Sequence, residues 1–161
     1  TVGLHQSFYA WDFASPMADE KAALEKSLGA TVSTCRQHWL RFSWENTWRA
    51  QEKAGLRLDT TLGFNDRPGF RIGAALPFSP WDPQRKATLK IQAVPMVLMD
   101  SHLYDYGDMS SEERQRQMTT WLDEIIAVRG TATIIWHQRV MSRDYGWGPG
   151  YEQLLQILRD Q

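Results

Sequence analysis

Five polar residues stand where β-rich runs end: His5, Arg36, Asp59, Asp100 and His137. Their types cover the needs of hydrolytic chemistry. An imidazole can ligate a metal or move a proton near neutral pH. A guanidinium can hold a carboxylate or an oxyanion, and a carboxylate can orient either partner. His5 closes a short apolar run and opens the polar pair Gln6-Ser7, so it reads as a metal ligand, an acid/base or a surface residue. His137 closes the apolar run Ile134-Ile135-Trp136. That position fits a general acid, or a core-edge histidine bonded to backbone. Arg36 and Asp59 end neighbouring runs. They form either a structural ion pair or a unit in which Arg36 orients a catalytic carboxylate and Asp59 orients Arg36 or a histidine. His102 reads as a surface or helix-leading residue. Cys35 reads as a buried strand residue, with nothing but Arg36 beside it in sequence to lower its pKa.

These residues need a scaffold that brings strand ends together. Runs at 2–4, 31–35, 56–61, 89–99 and 131–136 have strand character. Amphipathic helical stretches separate them. Ser15-Pro16 reads as a cap and first helical residue, with Met17, Leu24 and Leu28 on one face and Gly29 as the stop. Ser43 caps a helix over 44–54, ended by Gly55. Ser110 and Glu113 form the S-x-x-E box of the longest helix, whose buried face is Met118, Trp121, Leu122, Ile125 and Ile126, with Gly130 as its end. Tyr151, Leu154, Leu155 and Leu158 mark a last helix. Residues 63–85 hold four of the seven prolines and three of the eleven glycines, a long loop of the kind that is usually functional. Strands alternating with helices imply βαβ units and a mostly parallel sheet, whose C-terminal edge carries the reactive residues.

Composition narrows the function classes. The 161 residues make one domain's worth of sequence, and 18 basic against 19 acidic residues give a net charge of −1. No basic face of the nucleic-acid-binding kind is visible. No apolar run approaches the ~18 residues of a membrane span. A lone Cys35 excludes an internal disulfide framework. Eight tryptophans are more than a core of this size needs. Trp39, Phe42, Trp44 and Trp48 crowd one loop–helix junction, and Trp136, Tyr145, Trp147 and Tyr151 another. Those that are not core suit a cleft for a ligand with apolar faces and a polar rim, such as a sugar.

Five segments together resemble the polysaccharide deacetylases (the NodB-homology, carbohydrate esterase family 4 type), in a divergent bacterial form. They are Val2-Gly3-Leu4-His5-Gln6-Ser7, Cys35-Arg36-Gln37-His38-Trp39-Leu40-Arg41-Phe42, Leu58-Asp59-Thr60-Thr61-Leu62-Gly63-Phe64-Asn65-Asp66, Pro68-Gly69-Phe70-Arg71 and Ile135-Trp136-His137. They follow the order of the family's second half and span nearly the whole chain. The resemblance implies a distorted (β/α) barrel and a divalent metal, usually zinc. It implies metal-assisted hydrolysis of an acetyl group on a carbohydrate. By position, His5 matches a metal-binding His, Arg36 the Arg that holds the base, Trp39 the adjacent aromatic, and His137 the general acid. Ile135 stands in place of the Leu that lines the acetyl pocket, and Trp39, Ile135 and Trp136 are the expected substrate-binding residues. Asp59 is the expected partner of Arg36 or His137, and Asp100 the alternative.

The departures matter as much. Tyr9 stands four residues after His5, where the family has its second His ligand. His38 replaces the family's Pro and is the candidate substitute ligand. No aspartate pair precedes His5, so the strand bearing the base and the metal Asp is expected upstream of Thr1. Residues 1–161 are then expected to form the C-terminal portion of a deacetylase-like barrel domain, incomplete in this chain. An open sheet edge near residues 2–4 would invite a second copy. The function expected is carbohydrate deacetylation, dependent on that missing segment or degenerate. Two alternatives stand beside it: a non-catalytic carbohydrate-binding or scaffold protein, and an amide hydrolase of small cyclic substrates on the same barrel. No nucleic acid or membrane span is expected. The bacterial cytoplasm and envelope are both open.

Overall fold

Short parallel strands with helices in the crossovers organise the first half of the sequence. The structure, a computed structural model, describes residues 1–161. β1 (Leu4–His5) leads into α1 (Ala14–Leu28), and β2 (Thr34–Arg36) follows. A one-turn 3-10 helix at His38–Leu40 precedes α2 (Thr47–Lys53), which leads to β3 (Leu58–Asp59). A hairpin of β4 (Trp81–Asp82) and β5 (Ala87–Thr88) comes before β6 (Gln92–Ala93). β1, β2, β3 and β6 form one parallel sheet in that order, with β1 at one edge.

Register sorts the chemistry onto the two sheet faces. Leu4, Cys35, Asp59 and Ala93 pair in one row, and all are buried. Side chains alternate along a strand, so His5 and Arg36, the next register pair, lie on the opposite face. His5 is exposed and Arg36 half-buried there. α1 and α2 meet through Met17, Ala50 and Ala54.

The second half is built differently. β7 (Met96–Met99) is buried at all four residues and runs directly into α3 (Asp100–Tyr104). α4 (Ser111–Ala127) follows, then β8 (Thr133–Ile135), a 3-10 turn at Gln138–Met141 and α5 (Gly148–Arg159). β7 and β8 are parallel, with Met99 opposite Ile135. Val97, Leu98, Leu103, Met118, Leu122 and Leu154 form the core here. The chain divides into two compact units: Thr1–Leu62 with Leu76–Pro95, and Gly63–Ala75 with Met96–Gln161. No helix is long and apolar enough to cross a membrane.

Element boundaries shift where a neighbour decides them. Gly29 does cap α1 in the left-handed region, at φ 65°, but the helix begins at Ala14, before Ser15-Pro16. The expected helix over 44–54 is a turn at 44–46 and α-helical from Thr47; Ser43 Oγ accepts the Asn46 N–H, and the Ser43 N–H donates to the Thr47 hydroxyl. The apolar stretch 89–99 breaks into β6 and β7. Pro95 stands at the break and cannot donate to a sheet ladder. β4 lies inside the long loop 63–85, and its hairpin partner β5 just beyond it. The capping box of Ser110 and Glu113 closes as expected, with Met118 and Leu122 buried but Ile126 exposed.

Candidate functional site

The first unit gathers a pair of imidazoles at the ends of β1 and β2. His5 Nδ1 lies 3.0 Å from the Arg36 carbonyl. A carbonyl only accepts, so Nδ1 carries the proton and the neutral ring holds its lone pair on Nε2. The His38 ring centroid is 5.1 Å from that of His5, with 35° between the planes. Phe8 meets His38 edge-on at 6.0 Å. Arg41 fixes Phe8 twice: its guanidinium lies 4.1 Å over the ring, and Nη1 donates to the Phe8 carbonyl at 2.7 Å.

Trp39 and Leu40 turn the chain after this pair. Both are in the left-handed region, at φ 57° and 49°. Non-glycine residues held there cost of order 1–3 kcal/mol each. The turn sends Leu40 into the core and leaves Trp39 71% exposed. Tyr9 is 80% exposed and stands edge-on to Phe8. Trp39 and Tyr9 therefore present bare aromatic surface on the segments that flank the imidazoles.

Arg36 and Asp59 take separate roles. Arg36 donates from Nε to the Thr60 carbonyl at 3.2 Å, and burial pulls its pKa down. The ion pairs Lys21–Glu25, Arg49–Asp82, Arg67–Asp66 and Arg85–Glu52 do not include Arg36. Asp59 is fully buried on the other face. It accepts from Trp48 Nε1 at 3.0 Å, Gln51 Nε2 at 2.9 Å, and both the backbone N–H and hydroxyl of Thr61. Burial pushes its carboxyl up, while the donors pull it down. It anchors α2 to β3. Cys35 beside it is buried, and desolvation raises its thiol well above the ordinary range.

The second unit holds a histidine–carboxylate pair. Asp100, the first residue of α3, is fully buried. Its carboxylate accepts the His137 backbone N–H at 2.6 Å and lies 2.8 and 3.0 Å from His137 Nδ1. Nδ1 donates, so the neutral His137 ring carries its lone pair on Nε2. The His137 side chain is 35% exposed. His137's carboxylate is thus Asp100, the alternative, and Asp59 is bonded elsewhere. Ile135 is buried just below, and Trp136 packs on Tyr104 at 6.2 Å and Tyr151 at 5.6 Å. Trp136 Nε1 is buried with no acceptor. Tyr104 stacks on Trp147 at 4.7 Å under the Arg114 guanidinium.

His102 is neither surface nor reactive. It is 1% exposed, and Nδ1 accepts the Met99 backbone N–H at 3.1 Å. Nε2 donates to the Phe64 carbonyl, also at 3.1 Å. Desolvation lowers its pKa, partly opposed by the Phe64 and Asn65 backbone and by Asp66 and Asp100. Sequence patterns do not find these contacts, because both partners are backbone groups. Phe8 and Arg41 escape sequence reasoning for a similar reason: their pairing spans two loops.

The donor chemistry of His5 and His38 suits a divalent transition metal such as zinc. The two rings supply two of the three or four ligands of a protein zinc site, and no group of three or more His, Cys, Asp or Glu side chains gathers there. In comparisons with known proteins, no family model matches the chain and no curated protein matches it.

Proposed function

We propose that the chain is a polysaccharide deacetylase-like hydrolase, built on a deacetylase-type (β/α) barrel, that removes acetyl groups from a carbohydrate. The observation that carries this is the His137–Asp100 pair. A buried carboxylate fixes the imidazole through Nδ1 and leaves Nε2 for proton transfer, the arrangement of a general acid or base. The parallel order β1-β2-β3-β6 with α1 and α2 in the crossovers, and the parallel pair β7-β8, are mixed α/β elements of the kind such a fold uses.

In this scheme His137, once Nε2 has taken up a proton, gives that proton to the departing sugar nitrogen or oxygen while Asp100 keeps hold of Nδ1–H. Within the first unit, taken by itself, Arg36 would orient an anionic group by charge and hydrogen bonding, and His5 and His38 would hold a divalent metal. When bound, such a metal would lower the pKa of its water toward neutrality and could polarise a carbonyl. Asp59 serves as the anchor that sets the end of β3.

A second reading has its own observation. Trp39 and Tyr9 are exposed aromatics of the kind that stack on sugar faces. A carbohydrate-binding protein without turnover would keep them. Acetate release from N-acetylated chito-oligosaccharides, measured with and without added zinc, separates the two. Release that is lost in His137→Ala supports the hydrolase. Saturable oligosaccharide binding without release supports the binding protein, and neither response overturns both.

A further inference from the structure

We propose that His102 is a positioning residue for the His137–Asp100 pair. The inference rests on the acid/base reading of His137. Asp100 can orient His137 only if the first turn of α3 is held still. That turn has no Ser, Thr, Asp or Asn at the N-cap position, which Met99 occupies. The ring of His102 supplies the reciprocal half of a capping box from the third helical position, accepting the Met99 N–H through Nδ1. Met99 is the residue immediately before Asp100, and Asp100 in turn accepts the Ser101 N–H at 2.8 Å. The backbone on both sides of Asp100 is therefore tied by side-chain hydrogen bonds.

The other nitrogen of His102 reaches the Phe64 carbonyl. Phe64 begins the segment whose Arg67 guanidinium lies 4.1 Å over its ring. Further along, Gly69 N–H donates to the Val97 carbonyl on β7. His102 so links the 64–69 segment to the helix start that carries Asp100. With both nitrogens engaged and the ring buried, His102 has no free edge for a substrate. Its tautomer, with the proton on Nε2, is opposite to that of His137. A buried histidine with two backbone partners, one of them 38 residues away in sequence, next to the carboxylate of the pair, does more than fill space.

Two isosteric variants separate its two bonds. In His102→Asn the amide oxygen takes the place of Nδ1, keeping the Met99 bond and losing Phe64. In His102→Gln the amide nitrogen takes the place of Nε2, keeping Phe64 and losing Met99. Nitrogen-15 NMR of the full chain reads the tautomer of His137 directly. Wild type shows His137 with its proton on Nδ1 and His102 with its proton on Nε2. In His102→Gln the Nδ1–H to Nε2–H ratio of His137 falls about fivefold, the change that loss of one ordinary hydrogen bond produces. In His102→Asn it stays at the wild-type value although the protein is less stable. An unchanged ratio in folded His102→Gln, or an equal fall in both variants, overturns the proposal. So does a wild-type His102 with its proton on Nδ1, which decides the matter even where the Gln variant does not fold. These readouts need no turnover. A failure of acetate release in wild type counts against the deacetylase reading alone.

Discussion

Asp100 accepts two hydrogen bonds from His137, one from the backbone N–H and one from Nδ1. A single buried carboxylate thus sets both the position of the residue and the orientation of its ring. An amide cannot do both: one end of an Asn side chain accepts, and the other donates. In Asp100→Asn the amide NH2 would face either the backbone N–H or Nδ1–H. The ring escapes that clash by moving its proton to Nε2, so that Nδ1 accepts. We expect nitrogen-15 NMR to show His137 switched to the Nε2–H tautomer. His137-dependent acetate release should fall by about 10⁴-fold, as for other carboxylate-to-amide changes at such a pair. An Asp100→Asn protein that keeps the Nδ1–H tautomer would separate Asp100 from the orientation of His137.

His102 gives stability a pH dependence of known sign. Burial holds its folded pKa below the ordinary 6.5. Below 6.5 the unfolded chain therefore binds a proton that the folded chain does not. Stability is complete above 6.5 and declines as pH falls toward the lowered folded value, with a slope of at most about 1.4 kcal/mol per pH unit for one proton. Urea unfolding between pH 7.5 and 5 should show this loss. His102→Gln, which does not titrate, should flatten the slope while lowering stability at neutral pH. An identical slope in wild type and variant would assign the pH dependence to other groups.

Some of this is legible in the sequence because the signals are local. The α4 capping box involves residues three apart, and the Gly29 stop depends on one residue's freedom at positive φ. The change from apolar to polar residues places His5, Arg36 and His137 at strand ends. Other features depend on distant partners. Asp59 outwardly suits Arg36 or His137, but Trp48 and Gln51 on α2 reach it first. The choice of Asp100 follows from β7 and β8 being neighbours, with Met99 opposite Ile135. α3 and the β4–β5 hairpin have no periodicity long enough to see, at five residues and two per strand.

Trp39 keeps a strained backbone without the reward of burial. An L-residue in the left-handed region costs roughly 1–2 kcal/mol, and glycine removes that cost while adding about 0.5–1 kcal/mol of chain entropy to be lost on folding. Trp39→Gly should therefore be as stable as wild type or slightly more so in urea unfolding, and Trp39→Ala should not gain. Both should lose affinity for N-acetylated chito-oligosaccharides, read by calorimetry, because the exposed ring is what a sugar face would meet. A loss of more than about 2 kcal/mol in Trp39→Gly would show that the indole packs in a way its exposure conceals.

The His5–His38 pair sets the expected strength of metal binding. Two imidazoles with centroids 5.1 Å apart can close on one ion at zinc–nitrogen distances of about 2.0–2.1 Å. The Arg36 carbonyl favours the His5 tautomer with its lone pair on Nε2, and such outer contacts raise ligand basicity. Two protein donors still fall short of the four that close a structural site, so calorimetry with zinc alone should give weak one-to-one binding. His5→Ala and His38→Ala should each abolish it. Tyr9, four residues beyond His5, stands edge-on to Phe8, whose ring also meets His38 edge-on. Tyr9→His should tighten zinc binding at least about tenfold, the effect of roughly 1.4 kcal/mol from one added ligand. Tight binding by the unaltered chain would mean that a third protein donor already reaches the ion. Binding that survives His38→Ala would place the metal away from this pair.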